Sequence, residues 1–177
     1  SDLAVQNDDK IVVVSYLNSV SPIIIVNRYL SDAATLDTSF DVSENSDGIF
    51  VFDPSVIQVG DTAIVEGVTL QNDGKILVVG SYFDSVSGNN GGLLIRLNVN
   101  GTLDSTFNST GYQVFSPDSE NQIFYSATVQ PDGKILAVGK SNNGTTDIHL
   151  IVRFNADGTI DTTFDTDGYW VQDSTGT

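Results

Sequence analysis

Apolar runs of strand length alternate with short polar turns along this chain, and the same order of runs and turns occurs three times. The third copy is the clearest, with apolar or alternating segments at residues 126–130, 135–139, 148–154 and 169–172. Segments of this length bounded by Gly, Pro, Asn and Asp are typical of β-strands. No segment keeps the 3.6-residue period of an amphipathic helix over a dozen residues. The pattern predicts four strands per copy, joined as a meander.

Each copy contains the pattern Gln-x-Asp-[Gly/Asp]-Lys, placed directly before an apolar run. The lysines of the pattern are Lys10, Lys75 and Lys134. Successive lysines are 65 and 59 residues apart, as expected when one supersecondary unit is used three times. Gly74 and Gly133 precede two of them and supply the positive φ of a bulged hairpin, whereas the first copy has Asp9 there.

Four-stranded units of about 40–50 residues in tandem are the sequence signature of a β-propeller. The predicted fold class is therefore all-β, with four-stranded antiparallel blades at approximately residues 1–53, 61–115 and 120–173 of a single domain. A solenoid is the structural alternative, but solenoid repeats are shorter and lack hairpin turns of the Pro-Asp-Gly kind.

The third copy also resembles a known repeat family. Residues 130–139 read Q-P-D-G-K-I-L-A-V-G and residues 152–164 read V-R-F-N-A-D-G-T-I-D-T-T-F, which is similar to the delta-60 repeat of bacterial proteins. The second copy carries the same motifs, and the first departs from them at both turns. The resemblance implies β-propeller blades in large bacterial proteins that are often exported or attached to the cell surface. It implies no catalytic residues.

Three blades are too few to close a ring, because propellers have about four to eight. An open arc would expose two apolar blade faces, and soluble proteins seldom leave such patches uncovered. We therefore expect a homodimer in which two three-bladed arcs meet head to tail as six blades. The alternative is that the chain is a fragment of a longer propeller.

Composition limits the partners that the chain can bind. The 177 residues include 23 acidic and 7 basic side chains, which gives a net charge of −16. This charge argues against a nucleic-acid partner, because phosphate binding requires clustered Lys and Arg. No apolar run approaches the ~18 residues of a membrane helix, so no membrane insertion is expected. Cysteine is absent, which excludes disulfides and thiolate chemistry.

Six of the seven basic residues stand at repeat-equivalent positions. Three are arginines that precede an aspartate by eight or nine residues, and the pairs are Arg28 with Asp37, Arg96 with Asp104, and Arg153 with Asp161. Because a guanidinium binds a carboxylate well and the pair recurs in every copy, we expect a structural ion pair. The alternative is a ring of arginines around a central channel, which would suit an anionic ligand.

Acidic turns in the third copy are candidates for Ca²⁺ binding. Oxygen-bearing side chains two residues apart before a glycine are typical of Ca²⁺ loops, and the candidate ligands are Asp157, Asp161, Asp165 and Asp167. The same residue types are common in ordinary turns. Neither loop is followed by the spaced acidic ligand of a complete EF-hand.

Aromatic residues on the last strands are candidates for ligand binding. Tyr112, Tyr169 and Trp170 could stack on a glycan, or they could pack against the neighbouring blade. His149 is the only histidine, and with no cysteine and no recurring serine partner it does not form a recognisable catalytic pair.

These features favour a non-catalytic propeller module that forms a structural, adhesive or ligand-binding part of a secreted or surface protein, with a protein or glycan as its possible ligand. The alternative is a Ca²⁺-dependent propeller hydrolase or lyase. That enzyme would require non-repeating acids to converge on the propeller axis, and the candidates are Asp84, Asp147, Glu66 and Glu120.

Overall fold

The computed structural model describes residues 1–17, 22–41, 47–117, 120–142 and 144–172. These residues form three four-stranded antiparallel sheets. The strands are β1 (Asp2–Val5), β2 (Ile11–Leu17), β3 (Ile23–Tyr29), β4 (Ile49–Phe52), β5 (Thr62–Leu70), β6 (Ile76–Phe83), β7 (Asn90–Leu97), β8 (Tyr112–Phe115), β9 (Asn121–Val129), β10 (Ile135–Asn142), β11 (Asp147–Phe154) and β12 (Tyr169–Val171). Residue 173, the predicted end of the third blade, lies outside the described residues.

Each sheet is a meander in which every strand pairs with the next one along the chain. The prediction of an all-β chain built of four-stranded antiparallel units is therefore confirmed, and the arrangement is consistent with three propeller blades. A 3₁₀ turn, Pro54–Val56, precedes β5. None of the helical structure in the described residues is long and apolar enough to cross a membrane.

The sheets stack so that the first strand of each later blade packs on the blade before it. Strand β5 contacts β1, β2 and β3, and β9 contacts β5, β6 and β7. Two apolar clusters fill the two junctions. Consequently Val14 of the first blade and Val79 of the second, which stand at equivalent positions, are 0% and 2% exposed. The core of this chain lies between blades.

The hairpin turn before the second strand has the same backbone in all three blades. Gly74 and Gly133 have φ of 82° and 84°, and Asp9 is held at 64°. An L-residue in this left-handed region is strained, whereas glycine is not. The first blade therefore has the same turn conformation as the other two blades, although it lacks their glycine.

Asp9→Gly should raise the free energy of unfolding by roughly 0.5–1 kcal/mol, because glycine adopts positive φ without steric cost. Urea denaturation of the variant and the wild-type chain measures the difference. An unchanged or lower stability would mean that the Asp9 side chain contributes to the turn in a way that its backbone angle does not show.

Candidate functional site

Each blade carries the same cluster of charged side chains. The cluster lies at the start of the second strand, beside the turn that follows the third strand. In the second blade, Arg96 Nε donates to Asp104 Oδ2 over 2.7 Å, and Lys75 Nζ donates to the same oxygen over 2.8 Å. The other oxygen, Oδ1, accepts from the Thr106 hydroxyl at 2.7 Å and from its backbone N–H at 3.1 Å. Both oxygens of this buried carboxylate are therefore engaged.

A phenylalanine completes the cluster. The Arg96 guanidinium lies 4.4 Å from the centroid of the Phe107 ring, and the equivalent distances are 4.6 Å in the first blade and 4.8 Å in the third. An arginine over an aromatic face gains a cation–π attraction. We call the lysine, aspartate, arginine and phenylalanine the clasp. Its members are Lys10, Asp37, Arg28 and Phe40 in the first blade, Lys75, Asp104, Arg96 and Phe107 in the second, and Lys134, Asp161, Arg153 and Phe164 in the third.

The ion pairs of the other two clasps have the same geometry. Arg28 Nε donates to Asp37 Oδ2 at 2.9 Å, and Arg153 Nε donates to Asp161 Oδ2 at 2.6 Å. The two lysines reach the same oxygens, at 3.2 Å and 2.8 Å. The arginine does not grip both carboxylate oxygens, because Oδ1 is always occupied by a serine or threonine two residues later. Lysine and arginine therefore share one oxygen.

The clasp lowers the pKa of its carboxylate. Burial by itself would raise the pKa of Asp104, but hydrogen bonds from Lys75 and Thr106 and the charge of the arginine outweigh it and hold this pKa well below its usual range. The pKa of Asp37 is lowered against the same opposing effect of burial. The pKa of Asp161 is lowered as well, with the hydrogen bond from its lysine as the largest cause.

This shift predicts that the chain loses stability in acid. A carboxyl whose folded-state pKa lies below its unfolded value of about 3.9 stabilises the fold above that pH and loses the contribution as pH falls further. We expect the free energy of unfolding to decline from about pH 4 downward as the three clasps protonate. Urea titrations across this range measure the slope. An equal slope in Asp104→Asn, which has one titrating clasp fewer, would contradict this account.

Two of the clasps reach across to the next blade. Arg28 Nη1 donates to the Val99 carbonyl at 2.6 Å, and Arg96 Nη1 donates to the Ala156 carbonyl at 2.5 Å. The residue after the clasp phenylalanine also donates its N–H to that turn of the next blade. The acceptor is the backbone carbonyl of the residue that follows the one bound by the arginine. These bonds run from Asp41 N to Asn100 O at 2.7 Å and from Asn108 N to Asp157 O at 2.6 Å. A clasp thus holds the next blade by two backbone carbonyls of one turn.

The calcium candidates of the third blade take part in separate local interactions. Asp161 belongs to the clasp, Asp157 Oδ1 accepts from the backbone and hydroxyl of Thr159, and Asp167 Oδ1 accepts from the N–H of Tyr169. Asp165 has a positive φ of 44°. Within the described parts of the chain, no group of three or more His, Asp or Glu side chains is arranged to hold a metal ion. Calcium binding stays a prediction.

Two of the three candidate ligand-binding aromatics pack between blades. The Tyr112 ring meets Phe52 of the preceding blade edge-on, with 5.4 Å between centroids, and Tyr169 meets Phe115 in the same way at 5.3 Å. Trp170 is 37% exposed and lines an apolar hollow of about 690 Å³ on the outer face of the third blade. Of these aromatics, Trp170 is the one whose ring is open to a ligand.

The non-repeating acids proposed for a channel site are engaged in different places. Asp84 Oδ1 accepts from the N–H of Val86 within its own loop, and Asp147 pairs with Lys140 at 2.8 Å. Glu120 accepts from the Ser141 hydroxyl at 2.6 Å. Glu66 is exposed on β5. Three of the four acids therefore have partners of their own, and among the described residues these acids form no common metal-binding group.

Comparison with known protein families finds a β-propeller repeat in two of the three blades. Residues 71–107 and 130–164 match a family described as a domain of unknown function (DUF5122), beta-propeller. The match supports a bacterial family of β-propeller repeats. The matched segments run from the opening glutamine to the clasp phenylalanine of the second and third blades, and the first blade is not matched. No curated protein matches the chain.

All four residue types of the clasp recur in the sequence, but their repetition does not by itself show that the four side chains meet. The recurring lysine, arginine, aspartate and phenylalanine all stand out by repetition, yet only the arginine and aspartate were expected to meet. The lysine lies 29 residues before its aspartate in the second blade and 27 in the third. Pairing the second and third strands of the repeat in register, with Leu77 opposite Arg96, would have placed the lysine beside the turn that carries the aspartate.

Proposed function

We propose that this chain is a non-catalytic β-propeller module that serves as a structural, adhesive or ligand-binding part of a secreted or surface bacterial protein. The observation that carries the proposal is the use of the basic residues. Six of the seven belong to clasps, where each is bound to a buried carboxylate. Two of these side chains, Arg28 and Arg96, also hold the next blade, and charges bound in this way are not offered to a substrate.

The module would act through its blade faces and its turns. Two kinds of partner would bury the faces at the two ends of the arc: a second copy of this chain, which gives the predicted six-bladed head-to-tail homodimer, or further blades of a longer propeller to which the chain belongs. Trp170 is the residue that a glycan or protein ligand would contact, because its ring is partly exposed on one of these faces.

The test is a combined activity and binding measurement on the intact chain. Chromogenic ester and glycoside substrates are offered with millimolar Ca²⁺ and with a chelator, and thermal shift is recorded in both conditions. Binding of hexasaccharides from cellulose, chitin and xylan is followed by the fluorescence of Trp170, the only tryptophan. Trp170→Phe lacks this fluorophore, so its binding of the same hexasaccharides is compared with that of the wild-type chain by isothermal titration calorimetry.

We expect no turnover above background in either condition. Turnover that requires Ca²⁺ and is lost in Asp157→Asn or Asp167→Asn would overturn the non-catalytic proposal and support the propeller enzyme instead. A Ca²⁺-dependent rise in melting temperature without turnover would leave the module non-catalytic, and its loss in Asp157→Asn or Asp167→Asn would support the predicted metal site.

A further inference from the structure

The outer face of the third blade has the composition of a blade junction, but no other blade of the described residues covers it. Val138 stands where Val14 and Val79 stand in the other blades, and it is 42% exposed where they are 0% and 2% exposed. Leu136 and Ile151 beside it are half-buried, while their second-blade equivalents are fully buried. We call these three residues and Trp170 the docking face. Apolar side chains of this kind are covered at both junctions inside the chain.

The clasp at the edge of this face is incomplete. The Arg153 side chain is 21% exposed, against 5% for Arg28 and 7% for Arg96. Among the described residues, neither Arg153 Nη1 nor the N–H of Asp165 has a hydrogen-bond acceptor, although both donors are used in the other two clasps. Phe164 is half-buried, whereas the equivalent Phe40 and Phe107 are 0% exposed.

The two complete clasps show what the third would accept. The phenylalanine ring lies against a glycine of the next blade's turn, and the glycines are Gly101 and Gly158, both with φ of 89°. A Cβ built on Gly101 would stand 2.6 Å from the Phe40 ring, and one on Gly158 would stand 2.7 Å from the Phe107 ring. Such distances are well inside van der Waals contact, so a side chain at this position would displace the ring. The clasp therefore selects a turn that has glycine there.

We propose that the docking face and the third clasp bind a further β-propeller blade whose Asn-x-[Asn/Asp]-Gly turn carries this glycine. Arg153 Nη1 and the N–H of Asp165 would donate to two carbonyls of that turn, and Phe164 would lie on its glycine. The proposal rests on the proposed function, because it names the partner of a module that works by blade-on-blade contact.

The first blade of a second copy fits this clasp poorly. Its turn has Ala33 where the others have glycine, at φ of 56°, and Ala34 lengthens it by one residue. Asn27 replaces the apolar residues that face the preceding blade elsewhere, which are Ile95 and Val152. Its Oδ1 is buried and has no hydrogen-bond partner in the described structure. Atypical residues on an outer face are typical of a terminal, capping repeat.

The test changes the turn of the first blade so that it has the required glycine. The first blade of one copy can then serve as the partner for the third clasp of another copy. Ala33→Gly with Ala34 deleted restores the turn of the second and third blades. Self-association of this variant and of the wild-type chain is compared by light scattering over a dilution series, and Trp170 emission reports the docking face directly. We expect the variant to associate about tenfold more tightly, because relief of an overpacked contact changes an affinity by roughly five- to a hundredfold, with a shift of Trp170 emission to shorter wavelength.

Two substitutions in the altered chain show whether the clasp is responsible. Phe164→Ala and Arg153→Gln should each abolish the gain, and circular dichroism checks that both variants remain folded. A gain that persists in Phe164→Ala, or no gain at all, would overturn the proposal. Wild-type dimers that are equally tight and depend on Phe164 would overturn it too, since the occupant would then be a second copy. Neither result depends on turnover, so failure of the proposed function would be recognised separately.

Discussion

Asp104→Ala should lower the free energy of unfolding by about 3 kcal/mol, because breaking a buried ion pair leaves an uncompensated charge in the interior. Arg96, whose side chain is 7% exposed, would lose its carboxylate while its Nη1 stayed bound to the next blade. Lys75 would lose its partner as well, but its side chain is 27% exposed and can be solvated. Urea denaturation of variant and wild type measures the loss.

Asp161→Ala is the matched control for this prediction. It removes the same carboxylate from the third clasp, where the Arg153 side chain is 21% exposed. Because the freed arginine there can reach water, the loss of stability should be clearly smaller than at Asp104. Equal losses at the two positions would contradict the claim that the cost of an empty clasp depends on the blade packed over it.

Gly158→Ala should destabilise the chain by about 2–4 kcal/mol, of which about 1 kcal/mol is the cost of a left-handed backbone for alanine and the rest is overpacking. The added Cβ would meet the fully buried ring of Phe107 at the junction between the second and third blades. This ring also carries the cation–π contact to Arg96. Its displacement would therefore disturb the whole second clasp.

Gly144→Ala isolates the backbone part of that cost. Gly144 has φ of 88°, nearly the same as Gly158, but a Cβ there meets nothing within 4 Å. We expect this variant to lose only the ~1 kcal/mol of the left-handed conformation. If the two variants were equally destabilised, the glycine of the turn would be required for its own backbone alone, and the argument that the clasp selects glycine would fail.

Local sequence chemistry was sufficient to predict the blade. Strand-length apolar runs and turns such as Pro131-Asp132-Gly133 specify antiparallel neighbours, and the structure has them in that order. Even the strained position was visible, because Asp9 stands where the other copies have glycine and keeps a φ of 64°. These features depend on residues a few positions apart, where side-chain type determines backbone conformation.

The contacts between blades could not be read in the same way. Arg96 Nη1 binds the carbonyl of Ala156, sixty residues away, and a backbone carbonyl has no residue type that would reveal it. The role of Gly158 was hidden for a related reason. The turn alone is enough to explain a glycine at this position, and only the structure shows that the Phe107 ring lies against it. Repetition identified the members of the clasp, but their partners belong to the next repeat.

The central claim is that one clasp is used three times, with the next blade held at two junctions and no described blade at the third. Residue-resolved amide hydrogen exchange of the wild-type chain tests it directly. The N–H groups of Asp41 and Asn108 donate across the junctions and should be strongly protected, whereas the N–H of Asp165 should exchange quickly. Protection of Asp165 as strong as that of Asn108 would show that a partner already fills the third clasp, and fast exchange at all three would contradict the clasp itself.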